Sequence, residues 1–175
     1  MAVTSIWAIK RSLLEVVNYV KNPEKTTGDA LTDVIGYAIN SEKTVETDDE
    51  NTENIVSYVT GINCYSETAI DEMIAVKRHF GKTDGIIAYH GYQSFALGEA
   101  TPEMAHEIGI KLAERLWGNR YQVVVATHLD KTHHLHNHFV LNNVSFVDGK
   151  IYHRTGKDYR DMWRTSDELC KEYKL

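Results

Sequence analysis

The chain has 175 residues, a net charge of −6 and a hydrophobic content of 42%. This length suits one compact domain with a substantial core. Because no stretch approaches about eighteen uninterrupted apolar residues and no apolar leader is apparent, we expect an intracellular protein without a transmembrane helix. The two cysteines, Cys64 and Cys170, lie far apart and lack a metal-binding spacing, so we expect reduced thiols.

The charge is unevenly distributed along the chain. Residues 41–54 contain six acids and one lysine, so this segment carries −5 and leaves −1 for the rest. Such a run is typical of an exposed loop. The net charge argues against a nucleic-acid partner. The region after the histidine motif is nevertheless locally basic, and it could form either a basic groove that binds nucleic acid or an ordinary solvated face. Its basic residues are Lys150, His153, Arg154, Lys157, Arg160 and Arg164.

The first third of the chain predicts one strand and two helices. Alternation predicts a strand over residues 3–10, and apolar residues at helical spacing predict helices over 12–22 and 28–40. Tyr19 lies at the edge of the apolar stripe of the first helix. From this pattern alone, Tyr19 is more simply a packing residue than a catalytic one.

The rest of the chain alternates strands and helices. The sequence predicts strands over 55–59, 85–95, 121–128 and 136–146. It predicts helices over 66–80 with Ser66 as N-cap, over 102–117 and over 158–173. Because the last two strands are predicted to form a hairpin, this order predicts an α/β (α+β) sandwich with a largely antiparallel central sheet flanked by helices.

Five of the nine histidines lie within the eleven residues from His128 to His138. Residues two apart on a strand share a face, so we expect His134, His136 and His138 to project together. Antiparallel pairing of the two strands would bring His128 beside them. This density favours a metal site over a solvated histidine-rich loop.

The residue types in this cluster suit an open metal site. Neutral imidazoles bind divalent metals, and three of them leave coordination positions for water or substrate, which favours catalysis. We expect His136 and His138 to be ligands and His128 to be the third. Asp130 is either a ligand or a group that orients an imidazole through its other ring nitrogen. Two further histidines remain open as ligands: His133 and His134.

The stretch HLDKTHHLHNHFVLN, residues 128–142, resembles the third motif of the N-terminal relaxase domain of conjugative and mobilisation nucleases. These enzymes belong to the HUH endonuclease superfamily. The resemblance lies in a leading histidine, an aspartate two residues later, and a His-x-His pair followed by an apolar strand and an asparagine. It implies an HUH relaxase-like fold and maps the metal ligands onto His128, His136 and His138.

One departure from the superfamily pattern concerns the residue between the paired histidines. The superfamily is named for a hydrophobic residue there, whereas Asn137 separates His136 from His138. The alternative pair, His134 and His136, encloses a leucine but leaves the downstream strand out of register. We therefore keep His128, His136 and His138 as the predicted triad.

Two shorter stretches also resemble motifs of the single-tyrosine relaxase/mobilisation group. VVNYVKNPEKT, residues 16–26, resembles the first motif, which implies that Tyr19 is the nucleophile. YHGYQSF, residues 89–95, resembles the second motif, which implies that Ser94 contacts DNA near the cleavage site. His134 or His133, oriented by Asp130, would then serve as general base.

The resemblance implies metal-dependent nicking and rejoining of DNA at an origin of transfer through a covalent 5′-phosphotyrosine. The cofactor would be a divalent metal, namely Mn, Mg or Zn. Single-stranded origin DNA would be the substrate, and accessory relaxosome proteins and a coupling protein would be partners. We expect residues 1–175 to be the relaxase domain of a longer bacterial, cytoplasmic protein.

Several side chains are candidates for contact with this DNA. Aromatic rings could stack on nucleobases, and the basic residues after the histidine motif could bind successive phosphates. The aromatic candidates are Tyr92, Phe95 and Tyr152, and the basic ones are Arg154, Lys157 and Arg160.

Three other functions stay open at this point. A metal-dependent phosphodiesterase could use water on the same histidine site, and a DNA-binding module could carry the site without catalysis. A rolling-circle replication initiator would share the chemistry. Those initiators usually place the tyrosine after the histidines, whereas Tyr19 precedes them.

Overall fold

A computed structural model of the protein describes residues 2–9, 45–46, 56–129 and 134–175. Within these residues the strands are β1 (Val3–Ile9), β2 (Val45–Glu46), β3 (Val56–Ser57), β4 (Val59–Ile62), β5 (Ala88–Ser94), β6 (Val123–His128) and β7 (His136–Asn142). The α-helices are α1 (Ala69–His79), α2 (Pro102–Trp117) and α3 (Gly156–Glu172), and a 3₁₀ turn over Ser66–Thr68 precedes α1. The predicted helices over 12–22 and 28–40 lie outside the described residues.

The main sheet has five strands in the order β1-β5-β7-β6-β4, and β2 pairs separately with β3. Every neighbouring pair in the main sheet is antiparallel. This confirms the predicted α+β architecture with an antiparallel central sheet. The two histidine-bearing strands, β6 and β7, are neighbours near the middle of the sheet.

The two faces of the sheet have different coverings. Helices α2 and α3 cover one face, where Leu112 and Leu169 join Phe139 in the larger hydrophobic core. On the opposite face α1 packs through Met73 against Val140 of β7, together with neighbouring apolar residues of β5 and β6. Since side chains alternate along a strand, the histidines of β6 and β7 emerge on the α1 face, beyond the strand residues that α1 covers.

Two of the three described α-helices, α2 and α3, begin at capping residues in the sequence. Thr101 caps α2 by accepting a hydrogen bond from the Met104 amide at 3.3 Å, and Thr155 with Asp158 forms a capping box at α3. The predicted N-cap at Ser66 is wrong, because α1 begins at Ala69. The Ser66 hydroxyl instead donates to the carboxylate of Glu67 at 2.9 Å.

The last predicted strand ends earlier than expected, at Asn142 rather than residue 146. The side chain of Asn142 accepts a hydrogen bond from the Val144 amide at 3.3 Å. Ser145 Oγ then accepts from the amides of Val147 and Asp148, which turns the chain away from the sheet. Local side-chain acceptors therefore replace the strand ladder at this point.

Within the described part of the chain, none of the helices is both long and apolar enough to cross a membrane.

A buried lysine lies at the end of the α1 face remote from the histidines. The Lys77 side chain is 2% exposed, and its ammonium donates to the side-chain oxygen of Asn143. Burial lowers the pKa of this ammonium to about 7. Because the partner is a neutral amide, the charge has a hydrogen bond there but no compensating anion.

Replacing Lys77 by Met should change how stability depends on pH. The unfolded lysine holds its proton up to about 10.5 and the folded one up to about 7, so the wild-type free energy of unfolding should rise across that window. Relative to Lys77→Met, the rise should approach ~1.4 kcal/mol per pH unit. Chemical denaturation at several pH values measures it. The exposed-site variant Lys82→Met should follow the wild type, and parallel curves for Lys77→Met and wild type would contradict the prediction.

Candidate metal centre

Three histidines converge at one end of the β6–β7 pair. The antiparallel register places His128 opposite His136, and Ala126 opposite His138. The small Ala126 side chain leaves space for the neighbouring imidazole. Ring centroids are 4.1 Å apart for His128 and His138, 5.1 Å for His128 and His136, and 4.9 Å for His136 and His138.

This triad is suited to hold a divalent cation. One ligand nitrogen from each of the three rings lies within 4.8 Å of the other two. Nitrogens that share an ion at about 2.1 Å can be at most about 4.2 Å apart, so small ring rotations suffice to close the site. His128 and His138 are buried, and His136 is half-buried, so the site is open on one side. Three neutral imidazole nitrogens are donors that Zn and several other first-row divalent metals prefer.

Hydrogen bonds orient two of the three rings. His136 Nδ1 donates to the backbone oxygen of His134 at 3.1 Å, which leaves Nε2 of His136 as the ligand atom. Nδ1 of His138 lies 2.8 Å from Nε2 of His90 on the adjacent strand β5. A metal-bound Nε2 on His138 would require this Nδ1 to carry the proton and His90 to accept it.

His90 is a site residue that the sequence analysis missed. Burial, with the charge of His128 as a smaller cause, lowers the pKa of His90, which favours the neutral ring that this hydrogen bond requires. The signal was present in the YHGYQSF stretch, because His90 alternates with Tyr92 and Ser94. Only the pairing of β5 with β7 reveals its partner.

The same pairing brings two predicted DNA contacts to the centre. Ser94 lies opposite His136, and Tyr92 lies opposite His138, so both share the sheet face of the triad. Both side chains are partly exposed on that face. The geometry is therefore compatible with contact between these residues and a strand that reaches the metal.

Asn137, between the paired histidines, points to the opposite face and into the helix layer. Its Nδ2 donates to Gln93 Oε1 at 3.0 Å and to the Ala105 carbonyl at 2.7 Å, and its Oδ1 accepts from Thr127 Oγ1 at 2.6 Å. A Cβ on Gly109 of α2 would lie 2.5 Å from this Nδ2, so a glycine is needed there. The buried amide thus ties β5, β6 and β7 to α2 directly behind the triad.

The network continues through a histidine of α2. His106 lies between Thr127, with Nδ1 at 2.8 Å, and Thr60, with Nε2 at 2.9 Å. Because the Thr127 hydroxyl donates to Asn137, it must accept from His106 Nδ1–H, and Nε2 then accepts from Thr60. Burial lowers the pKa of His106 to about 4, which keeps this neutral tautomer at neutral pH.

Two of the aromatic candidates for DNA contact pack against other side chains of the protein. Phe95 is 2% exposed and belongs to the core, so it cannot stack on a base without rearrangement. Tyr152 packs edge-on against Tyr89 and Tyr121, with ring centroids 5.0 and 5.6 Å apart. Burial raises the pKa of Tyr152 to about 12.

The predicted basic contacts lie at the start of α3 and just before it. Lys157 forms an ion pair with Asp161, which also pairs with Arg164. Arg160 is exposed, and Arg154 donates to the Ile6 carbonyl of β1 at 2.8 Å. Asp161 therefore neutralises part of the basic segment.

Three other predicted site residues lie outside the described residues: Tyr19, Asp130 and His133. His134 is described and exposed, and it does not belong to the converging triad.

Residues 37–175 match the family model for the nuclease domain of MobA/VirD2-like relaxases. The chain belongs to this relaxase family. The matched segment contains the histidine triad, His90 and Ser94, whereas Tyr19 precedes it. The resemblance read from the third motif is therefore confirmed at the level of the family.

Curated relatives agree with the family. The chain is 40% identical over 117 residues to a protein rlx of Staphylococcus aureus, covering 66% of this chain and 36% of the relative. It is 27% identical over 206 aligned positions to the group II intron-interrupted relaxase LtrB of Lactococcus lactis subsp. cremoris, covering 93% of this chain and 35% of the relative. The chain thus spans about a third of the length of these relatives.

The loss of metal affinity after single substitutions should distinguish a ligand of the triad from the neighbouring His90 and His134. His138→Ala should weaken Mn²⁺ or Zn²⁺ binding at least ~100-fold, and His90→Phe should weaken it ~10- to 100-fold through lost orientation. His134→Ala is the matched control and should bind like the wild type. Isothermal titration calorimetry measures these affinities. An equal loss for His134→Ala and His138→Ala would show that the triad is assigned incorrectly.

Replacing Asn137 by Leu should destabilise the fold. The substitution leaves the Thr127 hydroxyl, the Gln93 side-chain oxygen and the Ala105 carbonyl without their buried partner, which should lower the free energy of unfolding by at least ~2 kcal/mol. Denaturant titration measures the change. The double variant Asn137→Leu/Gln93→Leu should cost less than the sum of the two single changes, because both ends of one hydrogen bond are removed. Additive losses would contradict the network.

Proposed function

We propose that this domain nicks and rejoins DNA site- and strand-specifically at an origin of transfer, and so initiates conjugative transfer or mobilisation of a plasmid or integrative element. The observation that carries the proposal is the convergence of His128, His136 and His138 on an open sheet face, in a chain of the relaxase family. The Lactococcus relative is itself named a relaxase, which supports the assignment.

The proposed reaction is a transesterification at phosphorus. The phenolic oxygen of Tyr19 loses its proton to a base and attacks the scissile phosphorus. The bond from phosphorus to the 3′-oxygen breaks, and this oxygen leaves and takes up a proton. The products are a 5′-phosphotyrosine and a free 3′-hydroxyl. Because the phosphodiester is retained, attack by a 3′-hydroxyl reverses the step and rejoins the strand.

The metal and the base have separate tasks in this proposal. A divalent cation, Mn, Mg or Zn, held by the three imidazoles would neutralise charge on the scissile phosphate. Tyr19 would be deprotonated by His134 or His133 with Asp130 as orienting group. His134 suits this role because it is exposed and lies two residues before His136, the first residue of β7. His90, in turn, would keep the His138 ring in its ligating orientation.

The proposed substrate is single-stranded DNA. A scissile phosphate in a duplex could reach the open side of the triad only after local unpairing. Ser94 and Tyr92, which lie opposite His136 and His138, would contact the nucleotides on either side of that phosphate. Arg154, Lys157 and Arg160 would bind more distant phosphates, and the salt dependence of binding would reveal their contribution. The reaction would occur in the bacterial cytoplasm with accessory relaxosome proteins and a coupling protein.

A covalent adduct tests the nucleophile directly. The wild-type chain is incubated with Mn²⁺ or Mg²⁺ and single-stranded oligonucleotides that tile the DNA around its gene, and products are resolved on a denaturing gel. We expect a protein–DNA band for the wild type, and at least a ~1000-fold slower reaction for Tyr19→Phe because no phenol remains to attack. Tyr65→Phe, at a side chain that is 77% exposed, is the matched control and should retain activity.

Two of the alternative functions give a different result in the same assay. Cleavage of DNA by Tyr19→Phe without an adduct would identify a phosphodiesterase that uses water, and it would contradict the proposal. Binding of the oligonucleotides without cleavage under any metal would identify a DNA-binding module.

A further inference from the structure

A large aromatic side chain stands exposed beside the metal centre. Trp7 of β1 is 42% exposed and lies opposite His90 in the register of β1 and β5. The indole and the His90 ring are tilted, with centroids 4.8 Å apart, and the Tyr92 ring lies edge-on at 6.2 Å. One side of the indole therefore rests on the protein and part of its surface meets water.

The rings form a continuous row from the edge of the sheet to the triad. His90, which contacts Trp7, lies with its Nε2 2.8 Å from Nδ1 of the ligand His138. Trp7 is thus two strands away from β7, a separation of about 10 Å and comparable with the size of one nucleotide. A base attached near a phosphate at the metal could reach the indole.

A cation lies at the same edge of the sheet. Arg154 Nη1 donates to the carbonyl of Ile6, the residue before Trp7, at 2.8 Å. A guanidinium has five N–H donors in a planar fork, and this bond uses one of them. The exposed remainder of the side chain suits a phosphate oxygen. Trp7 and Arg154 together provide the two groups with which proteins bind single-stranded nucleic acid, an aromatic face and a cation.

We infer that Trp7 and Arg154 form a nucleotide-binding subsite at the β1 edge, where a base of single-stranded DNA stacks on the indole and its phosphate binds the guanidinium. This subsite rests on the proposed function, since it takes the strand whose scissile phosphate is at the triad. It extends the DNA path from the metal toward β1. Stacking needs only a π-face, so the subsite should accept any base.

Two probes of equal charge separate stacking from phosphate binding. One is an oligo(dT) of about twelve nucleotides, and the other is an abasic backbone of the same length. With Mn²⁺ present, Trp7→Leu should weaken binding of oligo(dT) by roughly 5- to 150-fold and leave the abasic probe unaffected, since only the first probe can stack. Arg154→Gln should weaken binding of both probes and reduce the salt slope by about 1. Fluorescence anisotropy measures these affinities.

Tyr65→Leu is the matched control. Tyr65 is 77% exposed and lies just after β4, the strand at the opposite edge of the main sheet from β1, so its replacement should change neither affinity. Equal binding of oligo(dT) by Trp7→Leu and wild type would overturn the subsite. An equal loss for both probes, or a parallel loss of Mn²⁺ affinity in Trp7→Leu, would also overturn it, because the indole would then act through His90.

The adduct assay keeps this test separate from that of the proposed function. A wild type that forms the Tyr19 adduct while Trp7→Leu binds oligo(dT) normally would refute the subsite alone. A wild type that forms no adduct while Trp7→Leu still loses oligo(dT) binding selectively would refute the nicking reaction and support the subsite.

Discussion

The antiparallel pairing of β6 with β7 is the constraint on which the rest of the structure depends. Its register sets His128 opposite His136 and Thr127 opposite Asn137. The imidazoles consequently gather on one face, while the amide of Asn137 bonds Gln93, Thr127 and α2 on the other. A slip of one residue would exchange the two sets and destroy both the candidate metal centre and the buried network. The polar network therefore contributes to specificity of register as well as to stability.

Much of this arrangement could be predicted from local sequence. The histidine density, the alternation of β7 and the apolar run of β6 indicated a hairpin with three ligands on one face, and the fold class followed from the order of elements. The role of Asn137 could not be read in the same way, because its partners come from β5 and α2. His90 was missed for a similar reason, since its pairing with His138 joins residues 48 positions apart.

The errors have local physical causes. Phe95 was one of three aromatic candidates for stacking on DNA, but it follows the last residue of β5 and turns into the core. Ser66 looked like an N-cap, yet Glu72 accepts from the Tyr65 amide at 3.0 Å and from the Thr68 hydroxyl at 2.6 Å, so a carboxylate inside α1 organises the start of the helix. Competition between side chains for the same backbone groups is difficult to predict from sequence alone.

The outer edge of β1 has a consequence for how copies of the domain behave together. Edge strands with bare carbonyls and amides are templates for pairing with another chain. Here Arg154 donates to the Ile6 carbonyl, and the Tyr159 hydroxyl donates to the Thr4 carbonyl at 3.4 Å. These side chains occupy acceptors that a foreign strand would need. This edge of β1 is therefore less available for pairing with the sheet of a second copy of the domain.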